Sequence, residues 1–142
     1  MALKIYTAAD PDSDLSTNGT YSNPLSLTFD GVNGGVIEKR LYVRNDNVNF
    51  TYSSITLTPN DTGIFPITDG SNGYSWKVLS GDQRPLEEQW SAKTAAESIS
   101  LSNINDTTTY LSFWLRVEVP AAAAVESFQT VALRISSTET PV

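Results

Sequence analysis

"TYLSFWLRVEVP", Thr109–Pro120, alternates without a fault. Leu111, Phe113, Leu115, Val117 and Val119 fall on one side, and Tyr110, Ser112, Trp114, Arg116 and Glu118 on the other. A period of two marks an extended strand with one buried face. The aliphatic side is core. The other side, which such a strand turns to water, carries a tryptophan and a tyrosine beside a cation and an anion. Three explanations compete. A flanking loop, for instance the one containing "RPLEEQW", covers that face; or it meets a protein partner, since Trp, Tyr and Arg concentrate interface energy; or its flat rings stack on sugar rings.

Similar short alternations, separated by Gly, Pro, Asn and Asp, recur in both directions. They are "LKIYT" (Leu3–Thr7), "LSLTF" (Leu25–Phe29), "VIEKRLYVRN" (Val36–Asn45), "YSSITLTP" (Tyr52–Pro59), "GYSWKVLS" (Gly73–Ser80), "ESISLSNI" (Glu97–Ile104) and "SFQTVALRIS" (Ser127–Ser136). "GIFPIT" (Gly63–Thr68) holds a proline and is at best an edge strand. Only "RPLEEQWSAK" has helical character: Pro85 suits a first helical position and two glutamates follow it. Trp90 then plugs one end of the fold. The alanines of "AAAAVES" follow Pro120 and sit between two strands, so they form a loop or a single turn.

Seven to nine strands with no long helix between them exclude a βαβ architecture. The expected fold is all-β: a two-sheet antiparallel β-sandwich of immunoglobulin-like type, with at most one or two helical turns and with a jelly roll as the second choice. The expected organisation is an N-terminal arm or edge strand over 1–16, one sandwich domain over 17–136 and a C-terminal tail over 137–142.

The 142 residues are enough to bury a sizeable core without staples. The formal charge of −7 argues against a nucleic-acid partner, which is held by clustered Lys and Arg. Cysteine and histidine are both absent, which removes disulfides, thiolate nucleophiles, histidine bases and the usual zinc ligands together. No apolar run approaches the ~20 residues of a membrane helix, and the first residues lack a secretory pattern. No cofactor is expected.

Asp10, Asp12 and Asp14 have the alternate-acid spacing of a calcium loop, but Leu15 and Tyr21 stand where that loop needs Gly and Glu. They are weak calcium candidates, and a solvated acidic loop is the better reading. Glu87, Glu88, Glu97 and Glu118 supply carboxylates, yet nothing pairs two of them as a glycosidase requires. Asn18, Asn49, Asn60 and Asn105 head Asn-x-Thr triplets that turn chemistry explains. An enzyme is not expected.

The order "EKRLYVRNDN", "YSSITLTP", a Trp-containing strand, "ISLSNI", "TTTYLSFWLRVEVPA" and a final "VALRIS" resembles small β-sandwich virion proteins of tailed bacteriophages, over most of the chain from about Gly35. The resemblance implies a non-enzymatic structural protein, a capsid decoration or cement component, with a tail or baseplate component as the neighbouring alternative. It also implies a chain made in the host cytoplasm and located in the virion. The implied partners are the major capsid protein or other virion proteins, in a homo-oligomer for which a trimer is plausible, with no nucleic acid and no membrane. The alternative of another class is a carbohydrate-binding module aiding host attachment. The residues expected to carry contacts are Trp114, Tyr110 and Arg116 on the outer face, and Leu3, Ile5 and Tyr6 in the N-terminal arm.

Overall fold

A computed structural model describes residues 3–13, 33–61, 68–70, 73–121 and 131–142. Within them lie β1 (Leu3–Tyr6), β2 (Gly35–Asn45), β3 (Phe50–Asp61), β4 (Ser75–Ser80), α1 (Glu87–Ala92), β5 (Ile99–Leu101), β6 (Leu111–Val119) and β7 (Val131–Pro141). The alternating stretch is β6, and its position explains its pattern. It is an inner strand of a four-stranded sheet ordered β1-β2-β6-β4, which packs on a three-stranded sheet ordered β5-β3-β7. Every neighbouring pair is antiparallel.

The order has a specific meaning. β1-β2-β6-β4 matches the A-B-E-D sheet of an immunoglobulin constant-type sandwich, and β3 beside β7 matches its C-F pair. β5 adds a short strand on the far side of β3. Among the described residues no strand pairs with the other edge of β7, where such a fold carries its G strand.

The core is the side-chain layer between the sheets. Leu3, Ile5, Leu41, Val43, Val78, Phe113, Leu115 and Val117 come from the first sheet, and Tyr52, Ile55, Leu57 and Ile99 from the second, with Ile104 joining them. On β6 the inward residues are the ones the alternation selects. On β3 they are not evenly spaced: Tyr52 and Ile55 both point inward although they are three positions apart, with two residues between them. A β-bulge between Ser53 and Thr56 inserts the extra residue that makes this possible, and Ser54 takes a left-handed conformation (φ 51) to close it. The link from β2 to β3 carries the chain from one sheet to the other. Asn45, fully buried there, donates to Phe50 O (2.9 Å) and accepts from Asn47 N (2.9 Å), so its amide leaves no orphan.

Backbone meets backbone closely at the end of β6. Gly34 has φ +70, and a Cβ there would overlap the backbone from Val119 to Ala121. Only glycine lets β2 begin against that segment.

Several expectations need correction. Leu3, Ile5 and Tyr6 do not form a free arm: β1 pairs with β2 along its length, and each of the three is only 2% exposed. Leu3 and Ile5 face the core, because their register partners Asn45 and Val43 do. The alternative reading, an edge strand, is the correct one for 3–6. Residues 137–141 are not a tail but the second half of β7, paired with β3 from Ser53↔Thr138 to Phe50↔Pro141. Ser and Thr there hid a strand that lies at the sandwich edge and needs few aliphatic residues. The Glu97–Ile104 strand shrinks to β5 plus an isolated bridge, Tyr52↔Ile104. Pro85 precedes the helix rather than opening it: Leu86 is the extended cap, and its N–H is accepted by Gln89 Oε1 at 2.8 Å. Trp90 does not plug an end of the sandwich but packs on its outside. The expected strand at Leu25–Phe29, most of "GIFPIT" and most of the alanine run lie outside the described residues.

Candidate functional site

Antiparallel register decides which side chains share the outer face of the four-stranded sheet. Arg40 is opposite Trp114, Tyr42 opposite Ser112, Glu38 opposite Arg116 and Val36 opposite Glu118. β1 adds Tyr6 across from Tyr42 and Lys4 across from Arg44, and β4 adds Lys77 across from Arg116. Six of the nine cations of this acidic chain (Lys4, Arg40, Arg44, Lys77, Arg116 and, from above, Arg84) therefore gather on one face.

At one end of this face the aromatic residues form a cluster. Tyr110 stands edge-on to Tyr6 (5.9 Å between centroids) and to Tyr42 (6.2 Å). Arg44 lies 5.5 Å from both the Tyr6 and the Tyr110 rings, and Arg40 lies 5.2 Å from Tyr42. Such pairings combine ring quadrupoles with cations and fix the rings in place. Arg44 is further held by Thr107 O (2.6 Å) and by the Tyr6 hydroxyl (3.1 Å). Burial pushes the Tyr6 phenol above its ordinary pKa, against the opposing pull of Arg44. Tyr42 and Tyr110 stay half-exposed and Arg40 exposed. The cluster is rigid, yet accessible from one side.

At the other end, residues 81–98 cross the face as a strap. Asp82 takes Arg40 (3.0 Å) and the Ser112 hydroxyl, Arg84 takes Glu38, and Glu87 takes Arg116 (2.7 Å). Lys77 donates to Trp90 O at 3.1 Å. Trp90, 1% exposed, lies against the Arg116 guanidinium at 5.9 Å. A six-residue helix is too short to stand alone, so packing of Trp90 and these charge pairs holds α1 in place.

Arg116 was expected to project outward as an anchor, and this is corrected. It is 8% exposed, and Glu87 (2.7 Å), Glu118 (3.1 Å) and Glu38 (3.8 Å) surround it. The contact of Nε with Glu118 is an ion pair without hydrogen-bond geometry. The Glu87 hydrogen bond, with the other carboxylates behind it, raises the Arg116 pKa further. Its charge is spent inside the chain, because a guanidinium under a strap needs carboxylates to replace its water. Covering of this face by the "RPLEEQW" segment is thus what occurs at Arg116. Trp114 is half-buried beside it, and Tyr110 belongs to the tyrosine cluster.

Of the calcium candidates, the Asp10 carboxylate is engaged within its own turn, accepting from Asp12 N at 3.0 Å, while Asp14 lies outside the described residues. Among the described residues no three acids, histidines or cysteines group as metal ligands, and no helix is long and apolar enough to cross a membrane.

Reasoning from the sequence overlooked Arg40, Tyr42, Arg44 and Glu38. Their signal was present in "EKRLYVR", where they alternate with Leu41 and Val43, but only the register with β6 places them beside Tyr110 and Trp114. No family model, curated protein or solved structure matches this chain.

Proposed function

We propose that this chain is a non-catalytic structural protein of a bacteriophage virion, a capsid decoration component that stabilises the shell through contacts between subunits. The observation that carries the contact role is the Tyr42–Tyr110–Arg40 cluster: half-buried aromatic rings held edge-on and a partly exposed guanidinium oriented by Asp82, together on the outer face of the sheet. Preorganised tyrosine and arginine contribute interface energy with little ordering cost. The virion setting rests on the resemblance of the strand order from Gly35 onward to small phage virion sandwiches. In such a lattice, weak contacts repeated by symmetry add up through effective concentration, and any contact made only in the shell stabilises the shell.

The test uses capsids assembled without the protein. The purified chain is expected to co-sediment with them and to raise their disruption temperature. Tyr110→Ala and Arg40→Ala are each expected to weaken binding by about 2 kcal/mol, the scale of an interface anchor. Binding to tails but not to capsids would move the protein to the tail or baseplate. Binding to neither overturns the proposal.

A further inference from the structure

We propose that the groove beside Trp114 is a binding site for a neutral saccharide. The groove lies where β2 begins and the strap crosses the sheet. Val36, Glu38, Arg84, Glu87, Trp114 and Arg116 line it; it is a shallow groove open to solvent, with about 530 Å³ of space, a volume in the roughly 300–1,000 Å³ range of small-molecule sites.

Three observations converge on this ligand class. The first is how the indole is presented. Trp114 is half-buried, and its Nε1 is among the buried atoms and has no hydrogen-bond partner among the described residues, so what the ring shows the groove is carbon. An exposed aromatic carbon face suits the C–H side of a pyranose ring. Val36, 51% exposed, extends the apolar surface beside it.

The second is charge. Glu38 is paired with Arg84, and Glu87 with Arg116. Glu118 and Lys77 stand just behind, one of each sign. The lining is balanced, so a phosphate or a lone cation would meet as much repulsion as attraction. An uncharged ligand meets no such conflict.

The third is the pattern of free valences. Arg84 uses Nε on Glu38, and its two terminal nitrogens have no partner among the described residues. Glu87 engages Arg116 through Oε2, leaving Oε1. The side chains of Arg84 and Glu87 are 72% and 73% exposed, whereas those of Glu38 and Arg116 beneath them are 10% exposed. A donor-rich and an acceptor-rich arm thus flank an aromatic floor on a fixed ionic base. Sugar hydroxyls, each both donor and acceptor, match alternating partners of this kind. This site is separate from the tyrosine cluster and does not depend on the virion setting.

The experiment uses the isolated full chain, with cellobiose, maltose and N,N′-diacetylchitobiose as neutral probes and inorganic phosphate as the charged control. Binding is read from the three indole N–H resonances, with the Trp114 signal assigned by Trp114→Phe. Millimolar affinity for at least one disaccharide is expected, with the shift confined to Trp114 and none from phosphate. Arg84→Ala, a substitution at an exposed side chain that preserves the fold, is expected to weaken binding by about tenfold or more, the effect of losing one charge-assisted hydrogen bond. Absence of binding by all three sugars overturns the proposal. So does binding that Arg84→Ala leaves unchanged, or a Trp114 shift that depends on protein concentration alone, which would make the groove a contact between copies.

Discussion

Arg116 and Arg84 bind neighbouring carboxylates on the same face but differ in consequence. The Arg116 side chain is 10% exposed and meets three glutamates, while that of Arg84 is 72% exposed and meets one. Removing a buried partner strands the remaining charge, whereas removing a surface partner returns the other to water. Arg116→Ala is therefore expected to cost about 3 kcal/mol, the lower end for a broken buried pair because Glu87 can reach solvent. Arg84→Ala should cost less than about 1 kcal/mol. Urea unfolding of the two variants checks the contrast, and equal costs would show that Arg116 is solvated in the native state.

The strap over 81–98 is the element whose stability depends most directly on protonation. Asp82 has its carboxyl lowered by the Ser112 hydroxyl bond and then by Arg40, and Glu87 is lowered chiefly by the Arg116 bond. A carboxylate with a depressed folded-state pKa stabilises the native state above its unfolded pKa, and the contribution fades as pH falls through the lower, folded value. The strap should accordingly be unchanged from neutrality to about pH 5 and loosen below about pH 4, where unperturbed carboxyls begin to protonate. Trp90 reports the loosening, since it is the strap's own buried residue and lies against Arg116. An acid titration of tryptophan fluorescence at constant ionic strength should show a step that the double variant Asp82→Asn/Glu87→Gln removes. Asp106, lowered by hydrogen bonds from Thr109 and Thr108, titrates in the same window but sits outside the strap. The difference between the two proteins isolates the contribution of Asp82 and Glu87 to holding the strap.

At the scale of the whole molecule, one core joins both sheets. Phe113 and Leu115 are fully buried at its centre, facing Ile55, Leu57 and Tyr52 of the other sheet. Leu115→Ala is expected to cost about 2–5 kcal/mol, a large part of the roughly 5–15 kcal/mol that holds a domain together. Because the buried residues among those described form one cluster shared by both sheets, circular dichroism and tryptophan fluorescence should report one shared transition, shifted to lower urea in the variant. Separate transitions for the two probes would mean that the sheets unfold independently.

Several features followed from local pattern alone. The β class, the inward faces of β2 and β6, and the helical turn after Pro85 are set by alternation and turn residues, which act over a few neighbouring positions and are written in any short window. Tertiary structure decided the rest. The bulge at Ser54, the strand hidden in "SSTET", the burial of Tyr6, and the turning of Arg116 toward Glu38, Glu87 and Glu118 all depend on which strand lies beside which. A period of two tells which residues share a face, but not what covers that face: coverage is a long-range pairing, and no residue encodes it by itself. The same rule that made Trp114 and Arg116 neighbours left open that the strap would bury one and leave the other half-open beside a groove.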